Sequence, residues 1–540
     1  MSTEVRMSIQ VNDRAARLAD PVDVAIQVND RAARPADPVD VAIRLRPPEH
    51  AGIAERFDAS DPTPGLDVAR NPHVARLLHN RKFQFLMILP NQIVFWTVIF
   101  VGLLGTAVPG LNFGAAITWY VWFCLVFVMM VVAGRAWCAM CPFGGFAEWV
   151  QRRTFWQRTQ KTLSLGRKFP EGLAQFGFVL PVATFLLLTW IEEYFNIAGP
   201  GNPASTSFMV IGIVASALIF FLVFERRTFC RYICPLTSLI GTVGSMGMVA
   251  GFRTRDREVC LSCKTKDCMR GGDQGFGCPW YTWPASADSN LYCGLCTECY
   301  KSCPEENIGL FLQKPFTSVV APRRRRADVA WAIALLWGLV LYQQINFTNA
   351  YNSLDSWLNG HLHIPHYPNP VGYLGLIAIL TLVTAGVIRG IGALCARRDV
   401  AFKQAGNFAE RGSRFRAYFV PIAYGLIPVV GADYFARQLP KFFKSSPRVV
   451  PAVQHMFGAA GVHSWLYNAR LLSDPRIVTT QVAVIALGTV AALWATWRIT
   501  TRELIPVSRS ALAVRVTTSG LVLVCGAAAA VLYVAMQAAN

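Results

Sequence analysis

Charge is scarce in this chain. Of 540 residues, 15% are charged and 53% are hydrophobic. A soluble chain of this length would make three or four domains, and each would need far more polar surface, so a string of ordinary soluble domains is excluded. Acidic residues are the scarcer sign, 32 against 51 basic, for a net charge of +19. The surplus does not form a nucleic-acid-binding face. It is dispersed in Arg81-Lys82, Arg152-Arg153, Arg226-Arg227, Arg323–Arg326 and Arg397-Arg398, each beside an apolar run. Histidine is rarer still, eight in all, and none lies inside an apolar run, which argues against a haem held by two histidines within a bilayer. Cysteine is almost confined to one window, with thirteen of fifteen between positions 124 and 303.

What the chain has in abundance is long apolar runs. Spanning a bilayer takes about 20 apolar residues. Nine runs qualify: 83–107, 115–132, 173–195, 206–224, 329–347, 371–391, 415–435, 481–499 and 512–536. The fold class expected is a polytopic α-helical membrane protein with about nine transmembrane helices. The Gly-rich stretch 236–252 is too short for a tenth and reads as interfacial or re-entrant. Basic residues at the run ends orient the chain, because Lys/Arg-rich loops stay cytoplasmic. With Arg323–Arg326 inside, the N-terminus lies in the cytoplasm and the C-terminus outside, in a cell (inner) membrane. The loop 436–479 runs against this rule, carrying several Lys and Arg outside.

Residues 1–80 are of a different composition. Ile9–Ala25 recurs almost unchanged as Ile26–Ala42. Two 17-residue copies are too few for a solenoid, and low hydrophobicity with Pro in each copy predicts a disordered cytoplasmic tail. No apolar segment precedes Phe83, so no cleavable signal is expected and the first span must direct insertion.

Chemistry enters with the cysteines. Cys293, Cys296, Cys299 and Cys303-Pro304 form the run C-x2-C-x2-C-x3-C-P. In two-cluster ferredoxins such a run places three thiolates on one cubane and the fourth on its neighbour. Zinc sites prefer two separated C-x2-C pairs, an arrangement the unbroken run resists. Upstream lie Cys260, Cys263, Cys268 and, after a Gly-rich stretch, Cys278. Eight cysteines suit two [4Fe–4S] clusters. By the ferredoxin pattern Cys260, Cys263 and Cys268 share one with Cys303, and Cys278 joins Cys293, Cys296 and Cys299. A purely local site of Cys260, Cys263, Cys268 and Cys278 is the alternative. Gly271, Gly272, Gly275 and Gly277 are expected to let backbone N–H groups approach sulfur. Residues 256–312 thus read as a small inserted α+β ferredoxin-like domain on the cytoplasmic side, where cysteine clusters are metal ligands more often than disulfides.

Two further pairs end membrane runs: Gly134-Arg135-Ala136-Trp137-Cys138-Ala139-Met140-Cys141-Pro142 and Arg226-Arg227-Thr228-Phe229-Cys230-Arg231-Tyr232-Ile233-Cys234-Pro235. Two spans separate them, so all four thiols can converge on one membrane face. They read as a third cluster, as two redox dithiols, or as inert packing residues. Arg135, Arg226 and Arg227 are expected to lower the thiol pKa values. The segment 81–312 resembles the membrane-bound polyferredoxins of the NosR/NapH type, with their CcoG-like relatives. These carry two C-x3-C-P motifs at span ends and then a two-cluster ferredoxin segment. The first pair departs from that pattern, with two residues between its cysteines. The resemblance implies electron transfer between the quinone pool or a cytoplasmic donor and an extracytoplasmic redox protein, or reduction of metals for assembly.

The domains expected are therefore the tail 1–80, a four-helix unit 81–255, the ferredoxin-like insert 256–312 and a C-terminal membrane unit 327–540 of about five helices. In the last, His361, His363, His366, His455 and His463 fall in two loops, and the H-x-H-x2-H spacing suits a transition metal. Interfacial belt histidines are the alternative. Glu192-Glu193 and Asp433 lie at span edges, where they serve either as proton acceptors from a quinol or as solvated carboxylates. Cys124, Cys395 and Cys525 read as packing residues. An enzymatic role, if there is one, would be that of a quinol- or ferredoxin-linked oxidoreductase. The competing functions are a copper- or iron-handling reductase and a redox-sensing regulator.

Overall fold

The computed structural model describes residues 65–108, 110–157, 162–197, 203–322, 325–363, 367–397, 414–458 and 465–539. The tandem repeat, His366 and His463 lie outside the described residues.

The chain enters with strand β1 (Leu66–Asp67) and helix α1 (Pro72–His79). Asn80 then caps helix α2 (Arg81–Leu104), its side chain accepting from the Lys82 amide at 2.9 Å. Residues 65–80 are therefore folded, contrary to the expectation of a tail reaching to 80. Leu66 pairs with Leu312, Asp67 caps the turn at Ala69, and Leu78 is buried among residues of the insert.

The first membrane unit consists of α2, α3 (Phe113–Ala133), α5 (Val179–Tyr194) and α6 (Pro203–Val223), with the short, largely buried helix α4 (Pro142–Arg152) between α3 and α5 in sequence. The stretch 236–252 becomes the buried nine-residue helix α7 (Leu236–Gly244) followed by strand β2 (Val249–Thr254). It is too short to span. After the insert, whose last elements are the short helix α8 (Glu298–Ser302) and strand β3 (Ile308–Leu312), the chain continues through α9 (Ala327–Ile345), α10 (Asn349–Leu362) and α11 (Pro370–Cys395). It ends with α12 (Arg414–Gly425), α13 (Ile427–Ser445), α14 (Asp474–Glu503) and α15 (Ala511–Ala539).

Seven of these helices are long and apolar enough to cross a membrane: α2, α3, α6, α9, α11, α14 and α15. The run from α12 into α13 is bent by 44° and counts as an eighth if it crosses as one span. The remaining expected span, 173–195, is interrupted. Gly177 takes φ +50°, and α5 keeps only 16 residues, about 24 Å against the roughly 30 Å of a hydrocarbon core. Yet α5 runs alongside α9 for its whole length. The Phe178 amide donates to Asp328 at 2.8 Å at one end, and Glu193 accepts from Tyr342 at 3.1 Å at the other. Helix α9 is the axis of the bundle: 78% of its most apolar window is buried, against 33–39% in the other six spanning helices.

One three-stranded sheet, in the order β1-β3-β2 with both pairs antiparallel, closes the insert at its base. The chain leaves the membrane unit along β2 and returns along β3. All eight insert cysteines are thereby presented from one tied loop.

Candidate iron–sulfur centres

Three sets of four cysteines emerge. In the first, burial and then repulsion from Cys303, Cys260 and Cys263 push the Cys268 thiol up to about 12, with Cys278 a weaker neighbour. Cys303 in turn is pushed up by burial and by Cys260 and Cys263, while amides of Glu305 and Asn307 donate to its sulfur. A small pocket is lined by Cys260, Cys263, Cys268 and Cys303, and Cys278 is not among its walls. This grouping favours the crossed arrangement over the local one.

In the second set, Cys299 is pushed up by burial and by Cys278, Cys296 and Cys293, with Cys268 the next neighbour. Amides of Thr282 and Trp280 donate to Cys278, the former at 3.3 Å. The Phe252 amide approaches Cys293 at 3.5 Å. Beside it Gly251 sits at φ +91°, and a Cβ there would stand 2.7 Å from the Cys293 sulfur, so only glycine fits. The expected glycines do something else. Gly271 and Gly277 pack against each other's loop, and Gly275 against Ser302 and Glu298. The amides reaching sulfur belong to larger residues.

The third set is the duplicated pairs, and they converge. Burial and then Cys234 push Cys141 up to about 12, with Cys138 also contributing. Cys230 is raised by burial and by Cys234, Cys141 and Cys138 against the lowering effect of Arg227. The arginines were expected to make thiolates here, but burial outweighs them in the free thiols. The Cys-Pro step has a clear local logic. Cys141 is extended (φ −64°, ψ 123°) and caps α4, whose first residue is Pro142. A proline at that position loses no hydrogen bond. Amides of Gly144 and Phe143 then point at the Cys141 sulfur, and the Leu236 amide and Thr237 hydroxyl at Cys234. Both pairs thus place sulfur at a helix N-terminus, which favours negative charge.

The three sets form a series. Cys268 and Cys299 link the first to the second. Arg227, fully buried, lies between Cys296 and Cys230 and links the second to the third. It pairs with Glu148 at 2.5 Å. Glu148 also holds Arg152 at 2.7 Å, and Arg152 reaches Glu298, next to Cys299, at 3.3 Å. Against burial, Arg152 and Arg227 hold the Glu148 carboxyl below the usual range. Arg226 donates to the carbonyls of Met269 (2.6 Å) and Cys278 (2.8 Å). Arg135 bonds the Leu291 carbonyl and stacks over Trp280 at 4.3 Å. The arginines preceding each Cys pair therefore clamp the insert onto the membrane unit. Sequence reasoning had flagged them but gave them a different role, and it missed Glu148 and Glu298 altogether.

Among the described residues, no three His, Cys, Asp or Glu side chains lie close enough to share a single metal ion. His361, exposed, bonds the Trp357 carbonyl at 2.8 Å. His363 ends α10, and His455 is half-buried near the end of a separate helix. The described histidines assemble no site. Cys124, Cys395 and Cys525 are buried singly.

The family described as a 4Fe-4S binding domain matches residues 115–163 and again 206–252. This is an iron–sulfur protein. The two matches fall on the two halves of the repeat, each with one Cys-Pro pair. No curated protein and no solved structure matches the chain. Bound iron–sulfur clusters would supply one-electron exchange at each set of four thiolates.

Proposed function

We propose that this is an integral-membrane electron-transfer protein of the NosR/NapH polyferredoxin type. Its three [4Fe–4S] stations are Cys260/Cys263/Cys268/Cys303, Cys278/Cys293/Cys296/Cys299 and Cys138/Cys141/Cys230/Cys234. They relay electrons between a quinol or cytoplasmic donor and an extracytoplasmic redox enzyme. The observation that carries this reading is the serial proximity of the three sets, through Cys268 and Cys299 and then Arg227. In this orientation the insert faces the cytoplasm, and the third set joins it to the membrane.

Protein purified without oxygen should hold about 12 iron atoms per chain, four per cubane. Cys234→Ser should lower this to about 8, leave the insert clusters visible by EPR and abolish their reduction by a quinol analogue. Zinc without acid-labile sulfide would overturn the reading. So would unchanged quinol-linked reduction in the variant.

A further inference from the structure

At the end of α9 remote from the insert, two carboxyl groups meet two carboxamides in the same way. Asp433 Oδ1 accepts from Gln344 Nε2 at 2.5 Å and from the Tyr533 hydroxyl at 3.0 Å. Its other oxygen, Oδ2, is buried without a partner, and so is Gln344 Oε1. Glu193 repeats the pattern. Its Oε2 accepts from Tyr342 at 3.1 Å and Asn346 Nδ2 at 3.3 Å, while Glu193 Oε1 and Asn346 Oδ1 are buried and unpartnered. Asp433, Gln344 and Asn346 are at most 4% exposed.

Four buried orphan acceptors at one place are costly, since each forfeits its hydration for nothing, about 1–3 kcal/mol. A carboxylate cannot relieve an orphan amide oxygen, because ionised it only accepts. One proton on each carboxyl relieves two orphans at once. The acid O–H donates to the amide oxygen while the amide N–H donates to the acid carbonyl, closing a ring. We propose that Asp433 and Glu193 carry protons at neutral pH, each shared with its carboxamide on α9. They are two separate buried-proton sites, one at half-buried Glu193 and one at fully buried Asp433.

The surrounding charges do not remove the need for those protons. Arg437, Lys441 and Glu192 face the site. Arg437 donates to the Gln343 carbonyl at 2.6 Å, and among the described residues neither carboxyl has an ion-pair partner. The other titratable neighbours are the hydroxyls of Tyr342, Tyr351, Tyr367, Tyr373, Tyr434 and Tyr533. None of these residues belongs to the cysteine sets, so the inference stands or falls separately from the electron-transfer reading.

Infrared spectroscopy of the whole protein at neutral pH tests it. Two protonated-carboxyl C=O components are expected, each shifting in D2O. Asp433→Asn should remove one and Glu193→Gln the other. Should Asp433→Asn fail to assemble, carbon-13 labelling of aspartate in the unaltered protein must move the same component. Absence of protonated-carboxyl bands would overturn the proposal, as would their persistence in both variants. Carboxylate bands alone, with a bound cation found by metal analysis, would overturn it too.

Discussion

Arg227 and Glu148 show how single residues join the insert to the membrane unit. Both are buried, and among the described residues Arg227 has no other ion-pair partner than Glu148. Removing one partner of such a pair costs about 3–5 kcal/mol, chiefly from the charge left behind. Glu148→Gln should therefore lower thermal stability and loosen the insert from the membrane unit, while Arg152 keeps Glu298. The pH dependence follows from the lowered Glu148 value. A depressed carboxyl contributes in full above the ordinary glutamate value of about 4.3 and loses that contribution as pH falls through its own lower value. The stability gap between unaltered protein and Glu148→Gln, read from melting curves, should be constant from pH 5 to 8 (roughly the range where both forms stay ionised) and close in more acid solution. A gap that ignores acid would mean that Glu148 acts through packing alone. Sequence could show Arg227 beside a cysteine. It could not show that burial would dominate the thiol and leave the arginine to act as a clamp.

At the scale of elements, the insert is a loop between two paired strands, and its cysteines neighbour one another across its two halves. Cys303, from the end of α8, turns back to Cys260, Cys263 and Cys268, while Cys278 joins the three cysteines ahead of it. This crossing was legible in the sequence, because a C-x3-C-P ending sends its last cysteine away from the preceding three. Less legible was the source of the amides. Glycine spacing suggested Gly271–Gly277, whereas the donors come from Trp280, Thr282 and Phe252, whose placement depends on β2 and on Arg135 stacked over Trp280. The folded state of residues 65–80 was also hidden, since two strand residues and one eight-residue helix have no pattern of their own until β3 offers a partner. Crossed ligation makes a sharp prediction. Cys303→Ser and Cys260→Ser should remove the same EPR signal and about four irons each, and Cys278→Ser should remove the other signal. If Cys278→Ser instead matched Cys260→Ser, the ligation would be local.

The whole molecule bears on what length alone leaves open, namely whether the 16-residue α5 crosses the membrane. By hydropathy the nine apolar runs are plain in the sequence, but the break at Gly177 is not, and by length only α6 qualifies as a span between the two Cys pairs. One crossing between them would put Cys138 and Cys141 on the opposite face from Cys230 and Cys234. The four thiols are instead neighbours, so we propose that the number of crossings between them is even, with α5 as the second. Its pairing with α9 at both ends agrees, and local thinning of the bilayer accommodates a short helix at a modest cost per ångström. Exposed positions flanking α5 provide the test. With a membrane-impermeant thiol reagent, a cysteine introduced at Lys168 should label only from the cytoplasmic side, and one at Asn196 only from the outside. Lys314, in the return from the insert, should behave like Lys168. Labelling of Lys168 and Asn196 from the same side would make α5 a re-entrant helix and break the parity on which the third cysteine set depends.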